Sequence, residues 1–319
     1  MPSPNSTFTE MVTSTLRNHS REVVDNISDN NSLLRLLKSR GNIKTESGGY
    51  ELVYPVEYAN NSTYQRYSGY DTLNVQASDV LSAARYDWAQ IALHVTASGR
   101  ELRQNSSKEA IFKLVKARIK NAQHTASNNL SIDIYSDGTL SNQISGLAAL
   151  VNSAGTGTVG GINSSNFSFW QNQFLEFSGT PGTANIGTMM NQLWLPCVRG
   201  NDKPDLIVFS HDYYAFYEGG LQQNQRYSKS DSASLGFEEL MYKTARVTFD
   251  DNSNFGTTAA NGYFLNTKYL YLVQHSEAQW TQDDEKKPVN QDAVVVPLYW
   301  MGQLVVTNRN VQGRLVNLS

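Results

Sequence analysis

A tyrosine-rich segment between residues 50 and 70 places the tightest limit on how this chain can fold. Its first half alternates between aromatic or aliphatic residues and a second, more polar set, a period-two pattern that is typical of a β-strand. The alternating residues are Tyr50, Leu52, Tyr54 and Val56. The tyrosines that follow among Asn, Ser and Gly residues are Tyr58, Tyr64, Tyr67 and Tyr70. The segment therefore predicts a long two-stranded hairpin with its tip near Asn60-Asn61-Ser62.

A hairpin of this kind needs support from another surface. An isolated two-stranded hairpin is only marginally stable in water, and tyrosine rings gain free energy when they are buried. The sequence leaves two sources of that surface open: the rest of the same chain, or a neighbouring molecule.

The strongest helix signal lies at about residues 107–135. Ser106 is a candidate N-cap, and Glu109 three residues later completes a capping box. Apolar residues then recur at steps of three and four, which is typical of an amphipathic helix. The opposite face carries a set of cations, Lys108, Lys113, Lys116, Arg118 and Lys120. That face is open to two interpretations, a solvated surface or a surface turned toward a polyanion.

The first 40 residues are polar and carry five basic and four acidic side chains, a net charge of +1. This balance argues against a basic tail that binds nucleic acid. An apolar patch closes the segment at Leu33, Leu34, Leu36 and Leu37. The segment is either a loosely ordered terminus or an arm that docks on a neighbouring subunit.

The remainder of the chain mixes helix and strand signals irregularly. Helices are expected at residues 167–177, 188–198 and 211–227, and a buried strand at the apolar run 205–210. Further strands are expected at 246–249, 262–265, 269–274, 294–301 and 304–307. This order predicts an α+β fold.

The composition of the chain argues against several classes of protein. The net charge of −3 is the reverse of what a protein that coats nucleic acid tightly would show. One cysteine, Cys197, cannot form an intrachain disulfide. The N-terminus lacks the pattern of a signal peptide, and no apolar run approaches the roughly 18 residues of a membrane span. The chain is expected to be made in a reducing compartment.

The sequence contains no strong motif for catalysis or for cofactor binding. Residues 155–160 match G-x-G-x-x-G but lack the strand, the helix and the distant acid that a dinucleotide site needs. The five histidines are dispersed, and His211-Asp212 is more consistent with a helix cap than with half of a site. The sequence therefore predicts no catalytic residues, no cofactor and no metal, and a protein that is not an enzyme.

Three stretches in order resemble one known family. They are residues 117–151 (ARIKNAQHTASNNLSIDIYSDGTLSNQISGLAALV), 204–217 (PDLIVFSHDYYAFY) and 294–318 (VVVPLYWMGQLVVTNRNVQGRLVNL). Together they are similar to the major capsid proteins of tailed bacteriophages, whose Hong Kong 97-type fold is also found in encapsulins. The resemblance covers essentially the whole chain.

The resemblance implies an architecture with five parts. These are an N-terminal arm (1–40), an extended β-hairpin loop (41–78), a peripheral domain (79–136) with a long spine helix at about 107–135, an axial domain (137–290), and C-terminal strands that return to the core sheets (291–319).

The resemblance also implies a function. The chain would be a structural subunit that assembles itself into pentamers and hexamers, building an icosahedral virion shell around double-stranded DNA in the host bacterial cytoplasm. Its expected partners are a portal, a scaffold separate from this chain, decoration proteins, and enclosed DNA held by weak non-specific contact. No lysine–asparagine crosslink is assigned.

Two sets of site residues follow. Contacts between subunits are expected from the tyrosines and leucines Tyr50, Tyr54, Tyr58, Tyr64, Tyr67, Tyr70, Leu33, Leu36 and Leu37. A surface facing DNA is expected from Lys113, Lys116 and Lys120. Two alternatives stay open: an encapsulin-type compartment with enzyme cargo, and a glycan- or surface-binding β-rich module suggested by the Tyr, Asn and Gly content.

Overall fold

The computed structural model describes residues 31–104, 108–177, 179–224, 240–250, 261–283, 286–287 and 289–317. The helices are α1 (Ser32–Ser39), α2 (Gly99–Gln104), α3 (Lys108–Ile134), α4 (Leu147–Leu150), α5 (Ile186–Cys197) and α6 (His211–Asn224). The first seven strands are β1 (Ile43–Glu46), β2 (Leu52–Glu57), β3 (Leu81–Tyr86), β4 (Ala89–Ser98), β5 (Thr158–Val159), β6 (Ile162–Asn163) and β7 (Gln173–Glu176). The remaining strands are β8 (Leu206–Phe209), β9 (Leu240–Tyr242), β10 (Ala245–Phe249), β11 (Asn261–Leu265), β12 (Leu270–Gln282), β13 (Ala293–Val306) and β14 (Gly313–Val316).

A four-stranded sheet in the order β1-β12-β13-β4 forms the first half of the body. Its centre is two long antiparallel strands of 13 and 14 residues, β12 and β13. Helix α3 packs against β4, and the buried residues on its described part recur at helical spacing: Ile119, Ala122, Ala126, Leu130 and Ile134. The helix predicted for about 107–135 therefore lies at Lys108–Ile134.

A six-stranded sheet in the order β7-β14-β11-β8-β10-β9 forms the second half. Strand β8 is buried on both faces, as its continuous apolar sequence predicts. Its residues alternate between two hydrophobic cores. Leu206 and Val208 belong to the core shared with the first sheet, whereas Ile207 and Phe209 belong to the core under α5 and α6. One short strand thus joins the two halves.

Helix α1 carries the apolar patch at the end of the predicted arm. Asn31 caps it by accepting a 3.0 Å hydrogen bond from the Leu34 amide. The helix buries its whole apolar face within the same chain, so that Leu33, Leu36 and Leu37 are at most 5% exposed. The core of their own chain therefore covers these three leucines, and their expected contact with a neighbouring subunit stays a prediction.

The expected domain bounds stay predictions, and one predicted helix is wrong. Residues 270–282, expected in the axial segment 137–290, form β12 of the four-stranded sheet. Residues 167–177 are not a helix but a short 3-10 turn, Ser168–Trp170, followed by β7. The indole of Trp170 is buried and donates to the Val159 carbonyl over 2.9 Å, which fixes this turn against the β5–β6 hairpin.

The C-terminal strands enter both sheets. Strand β13 pairs with β12 and β4, and β14 lies between β7 and β11 in the other sheet. Both halves of the predicted capping box, Ser106 and the side chain of Glu109, lie outside the described residues, as do residues 1–30 of the predicted arm. A reciprocal box is present at Ser98 and Glu101, at the start of α2.

Candidate assembly surface

A two-stranded hairpin projects a long loop from the first half of the body. Strand β2 pairs with β3 in antiparallel register, from Leu52 opposite Tyr86 to Glu57 opposite Leu81. The first strand lies where the alternation predicts it. The return strand does not, because residues 58–80 between the two strands form no regular ladder. Asn and Ser side chains in this stretch bond to nearby groups, which competes with strand pairing.

The base of the hairpin is held to both sides of the body. The Tyr54 hydroxyl donates to Glu46 Oε1 over 2.8 Å, and burial together with this carboxylate raises the pKa of Tyr54. The Tyr86 hydroxyl donates to the Val306 carbonyl over 2.7 Å. These bonds tie β2 to β1 and β3 to the end of β13, so the loop starts from a fixed position.

The loop itself is organised by its own polar groups. The hydroxyls of Ser62 and Ser78 lie 3.3 Å apart and bridge its two sides. Within it, Gln65 Nε2 donates to the Thr72 carbonyl over 3.1 Å. The pairing of polar groups with one another leaves the aromatic side chains of the loop without an internal core.

Four of the six predicted tyrosines are exposed. Tyr50 is 93% exposed, Tyr64 82%, Tyr67 67% and Tyr70 fully. Leu73 and Val75 in the same loop are exposed as well. Clustered exposed apolar groups mark interaction surfaces more often than scattered ones do. We call residues 58–80 the tyrosine loop.

The other two tyrosines serve the base of the hairpin. Tyr54 packs against the first core, and the Tyr58 ring lies 6.2 Å from that of Phe169. Both are half-buried by their own chain, so the structure places them as anchors and not at the exposed surface where subunit contacts were expected.

The predicted basic surface is present in part. Lys116 and Lys120 are exposed on α3; the helix includes Lys113, but its side chain lies outside the described part of the chain. Arg118 on the same helix pairs with Glu101 of α2 at 2.7 Å. The hydrogen bond from Arg118 lowers the pKa of Glu101. The sequence analysis expected no helix at residues 99–104, so this partner was not predicted.

Sites for chemistry are not evident in the described residues. Within the described ranges, no three His, Cys, Asp or Glu side chains are grouped so as to hold a metal ion. None of the helices in the described ranges is both long and apolar enough to cross a membrane. Burial raises the pKa of the Cys197 thiol to about 12, which leaves it protonated at neutral pH.

Solved capsid structures share this fold over most of their length. The capsid asymmetric unit of cyanophage A-1(L) matches with a TM-score of 0.62 at 15% identity, over 86% of this chain and 90% of that one. The capsid of Myoviridae phage XM1 matches with a TM-score of 0.53 at 14% identity, over 89% and 92%. The capsid of an empty GTA particle matches with a TM-score of 0.56 at 11% identity, over 88% and 89%.

No family model matches the sequence, and no curated protein matches it. The class is therefore defined by architecture. The chain has an α+β fold of the Hong Kong 97-type, the fold of tailed-phage capsid proteins, which confirms the predicted fold class.

Proposed function

We propose that the chain is the structural subunit of an icosahedral shell, the major capsid protein of a tailed bacteriophage. In this role it assembles into pentamers and hexamers that enclose double-stranded DNA. One observation carries the proposal: a fold shared with capsids over 86% of the chain extends a tyrosine loop in which the rings of Tyr64, Tyr67 and Tyr70 are exposed.

The exposed tyrosines of the loop favour weak contacts that are repeated between copies of the chain. Tyrosine supplies a large contact area at low cost in conformational entropy. A loop that lies on the next copy makes a heterologous contact, which closes into a ring where the rotation permits. Because each subunit both gives and receives such a contact, individually weak contacts add up to a stable shell.

Electron microscopy and size exclusion of the purified full chain test the proposal. We expect shells, tubes or rings from the wild type. The variant Tyr64→Ser/Tyr67→Ser/Tyr70→Ser should stay unassembled, with an unchanged melting temperature because these side chains are exposed. Tyr299→Ser on β13 is the control, an exposed tyrosine outside the loop, and should assemble normally. If the wild-type chain stays monomeric and binds a glycan, the shell function is contradicted and the chain is a glycan-binding module.

The DNA-facing surface is a second part of the proposal. Lys116 and Lys120, with Lys113 on the same helix, would face enclosed DNA and contact phosphate weakly and without sequence preference. Lys116→Glu/Lys120→Glu should lower the fraction of DNA-filled particles while leaving empty shells intact. The matched control is Lys203→Glu/Lys287→Glu, the same charge change at exposed lysines elsewhere. Equal filling in both variants contradicts this assignment.

Native particles separate the capsid from its closest alternative. A phage shell should contain double-stranded DNA and co-purify with a portal, whereas an encapsulin-type compartment should contain protein cargo. A separate scaffold and decoration proteins are the further partners that we propose, with assembly in the host bacterial cytoplasm and final location in the virion.

A further inference from the structure

His275 lies where the central strand β12 departs from regular pairing. The register of β12 with β13 is regular up to Gln274 and shifts before the next paired residue, Gln279. Within this bulge the amide of Glu277 donates a 3.2 Å hydrogen bond to Nδ1 of His275. A ring nitrogen that accepts from an N–H group carries no proton, so this bond requires the neutral imidazole. The conformation of the bulge is therefore tied to the charge of one side chain.

The same imidazole contacts the base of the hairpin that carries the tyrosine loop. The ring of His275 meets that of Trp88 edge to face, with 5.7 Å between centroids. The indole nitrogen of Trp88 donates to the Gly49 carbonyl over 3.0 Å, and Gly49 lies shortly before β2. A continuous set of contacts thus runs from the bulge through Trp88 to the start of the hairpin.

Charged groups on the neighbouring elements determine where a protonated imidazole would be drawn. The described residues around it supply three carboxylates and one amine: Glu46 and Lys44 on β1, Asp87 in the turn before β4, and Glu277 on β12. Glu46 is the register partner of His275, so the two side chains lie on the same face of the sheet. On the other side, the partner of Gln274 is Gly302 of β13, which brings no charge. Coulomb attraction therefore draws an imidazolium toward Glu46, whose Oε1 accepts the Tyr54 hydroxyl.

We propose that His275 is a proton-sensitive latch, which holds the bulge of β12 and the base of the hairpin when neutral and releases them when protonated. Histidine side chains ordinarily change charge between about pH 5 and 8. On protonation, Nδ1 gains a hydrogen and cannot accept from the Glu277 amide. The imidazolium then competes with Tyr54 for the Glu46 carboxylate. Mild acid thus loosens the support of the tyrosine loop within a single chain, whether or not that chain assembles.

Hydrogen exchange of the full chain, measured by mass spectrometry, tests the latch. Rates are compared with those of the unfolded chain at the same pH, which removes the chemical effect of pH on exchange. We expect the protection of the peptide that contains Glu277 to fall about tenfold between about pH 7.5 and about pH 5.5. Protection of residues 47–57, at the base of the hairpin, should fall in parallel.

Substitutions of the histidine separate the latch from other effects of acid. In His275→Asn the side-chain oxygen can accept from the amide two residues on but does not titrate, so the wild-type protection should persist at both pH values. His275→Ala has no acceptor and should show the low protection at both. His94→Asn, the same change at an exposed histidine of β4, should follow the wild type.

Two results contradict the latch. If protection in the wild type and in His275→Asn has the same pH dependence, His275 does not control the bulge. If the bulge loosens in acid while residues 47–57 keep their protection, His275 does not hold the hairpin. Both measurements concern the fold of one subunit, so their failure is distinct from a failure of the proposed shell function, which the assembly experiments test.

Discussion

Arg309 donates a 2.8 Å hydrogen bond from Nη2 to Asn172 Oδ1 in the interior of the protein, although the guanidinium is completely buried. Its other bonds go to the carbonyl oxygens of Leu150 at 2.7 Å and Trp170 at 3.1 Å. Burial lowers the pKa of Arg309 to about 10, so the group is still charged at pH 7. A single cation therefore ties the segment before β14 to α4 and to the turn before β7.

Replacing this guanidinium should be costly. Arg309→Met removes three hydrogen bonds and leaves their acceptors buried, which should lower the free energy of unfolding by about 3 kcal/mol or more. Urea denaturation of the isolated subunit measures the effect. Arg85→Met, at an exposed position of β3, is the control and should change stability by less than about 0.5 kcal/mol. Equal stability of the two variants would show that Arg309 is dispensable.

Gly146 should not tolerate any side chain. A Cβ there would lie 2.5 Å from the Asp133 carbonyl oxygen and 2.6 Å from that of Ile134, both fixed at the end of α3. Gly146→Ala should therefore destabilise the protein by about 3 kcal/mol, at the upper end of overpacking effects. Gly187→Ala in α5 meets no atom within 4 Å and should stabilise by about 0.5 kcal/mol. Thermal melting compares the pair.

Gly313 and Cys197 should be energetically coupled. A Cβ at Gly313 would lie 2.6 Å from Cys197 Sγ and 3.2 Å from Leu193 Cδ1, where β14 passes under α5. Gly313→Ala by itself should lower the stability of the protein. Adding Cys197→Ala should restore part of the lost stability, because the closest clash disappears. A double-mutant cycle should give about 1 kcal/mol of favourable coupling. Additive effects would mean that α5 simply shifts away.

Stability should fall in acid partly through Glu101. Hydrogen bonds from Arg118 and Ser98 lower its pKa below the ordinary value of 4.5. A carboxyl whose pKa is lower in the folded state stabilises that state above the unfolded value and loses the effect as pH falls through the folded value. The melting temperature of Glu101→Gln should therefore fall less than that of the wild type between about pH 5 and pH 3. Glu57→Gln, the same change at an exposed strand position, should follow the wild type.

The long helix and the buried strand could be predicted because their signals are local. Helix α3 repeats its apolar residues over several turns, and β8 is a continuous apolar run. The sequence left open whether the rings of Tyr64, Tyr67 and Tyr70 are covered by their own chain, and the fold leaves them exposed. The return strand β3 has the sequence LSAARY, with small residues and no clear alternation. It forms a strand because β2 pairs with it and because Tyr86 is held by Val306, over 200 residues away.

The features that the sequence analysis did not predict depend on partners far away in the sequence. The leucines of α1 have an apolar pattern, but no pattern states whether their own chain or another covers them. The irregular pairing of β12 near Trp280 depends on its register with β13, a strand that comes later in the chain. Neither has a local signal, so neither could be found before the fold was known.

The position of β14 has a consequence for synthesis. Strand β7 pairs with nothing but β14 among the described strands of its sheet, and β14 follows it by about 140 residues. At about 5–20 residues per second, a ribosome takes on the order of ten seconds to make that stretch. The six-stranded sheet therefore closes only after residues 313–316 have been translated. A chain that stops before residue 313 therefore lacks the strand that pairs with β7 in this sheet.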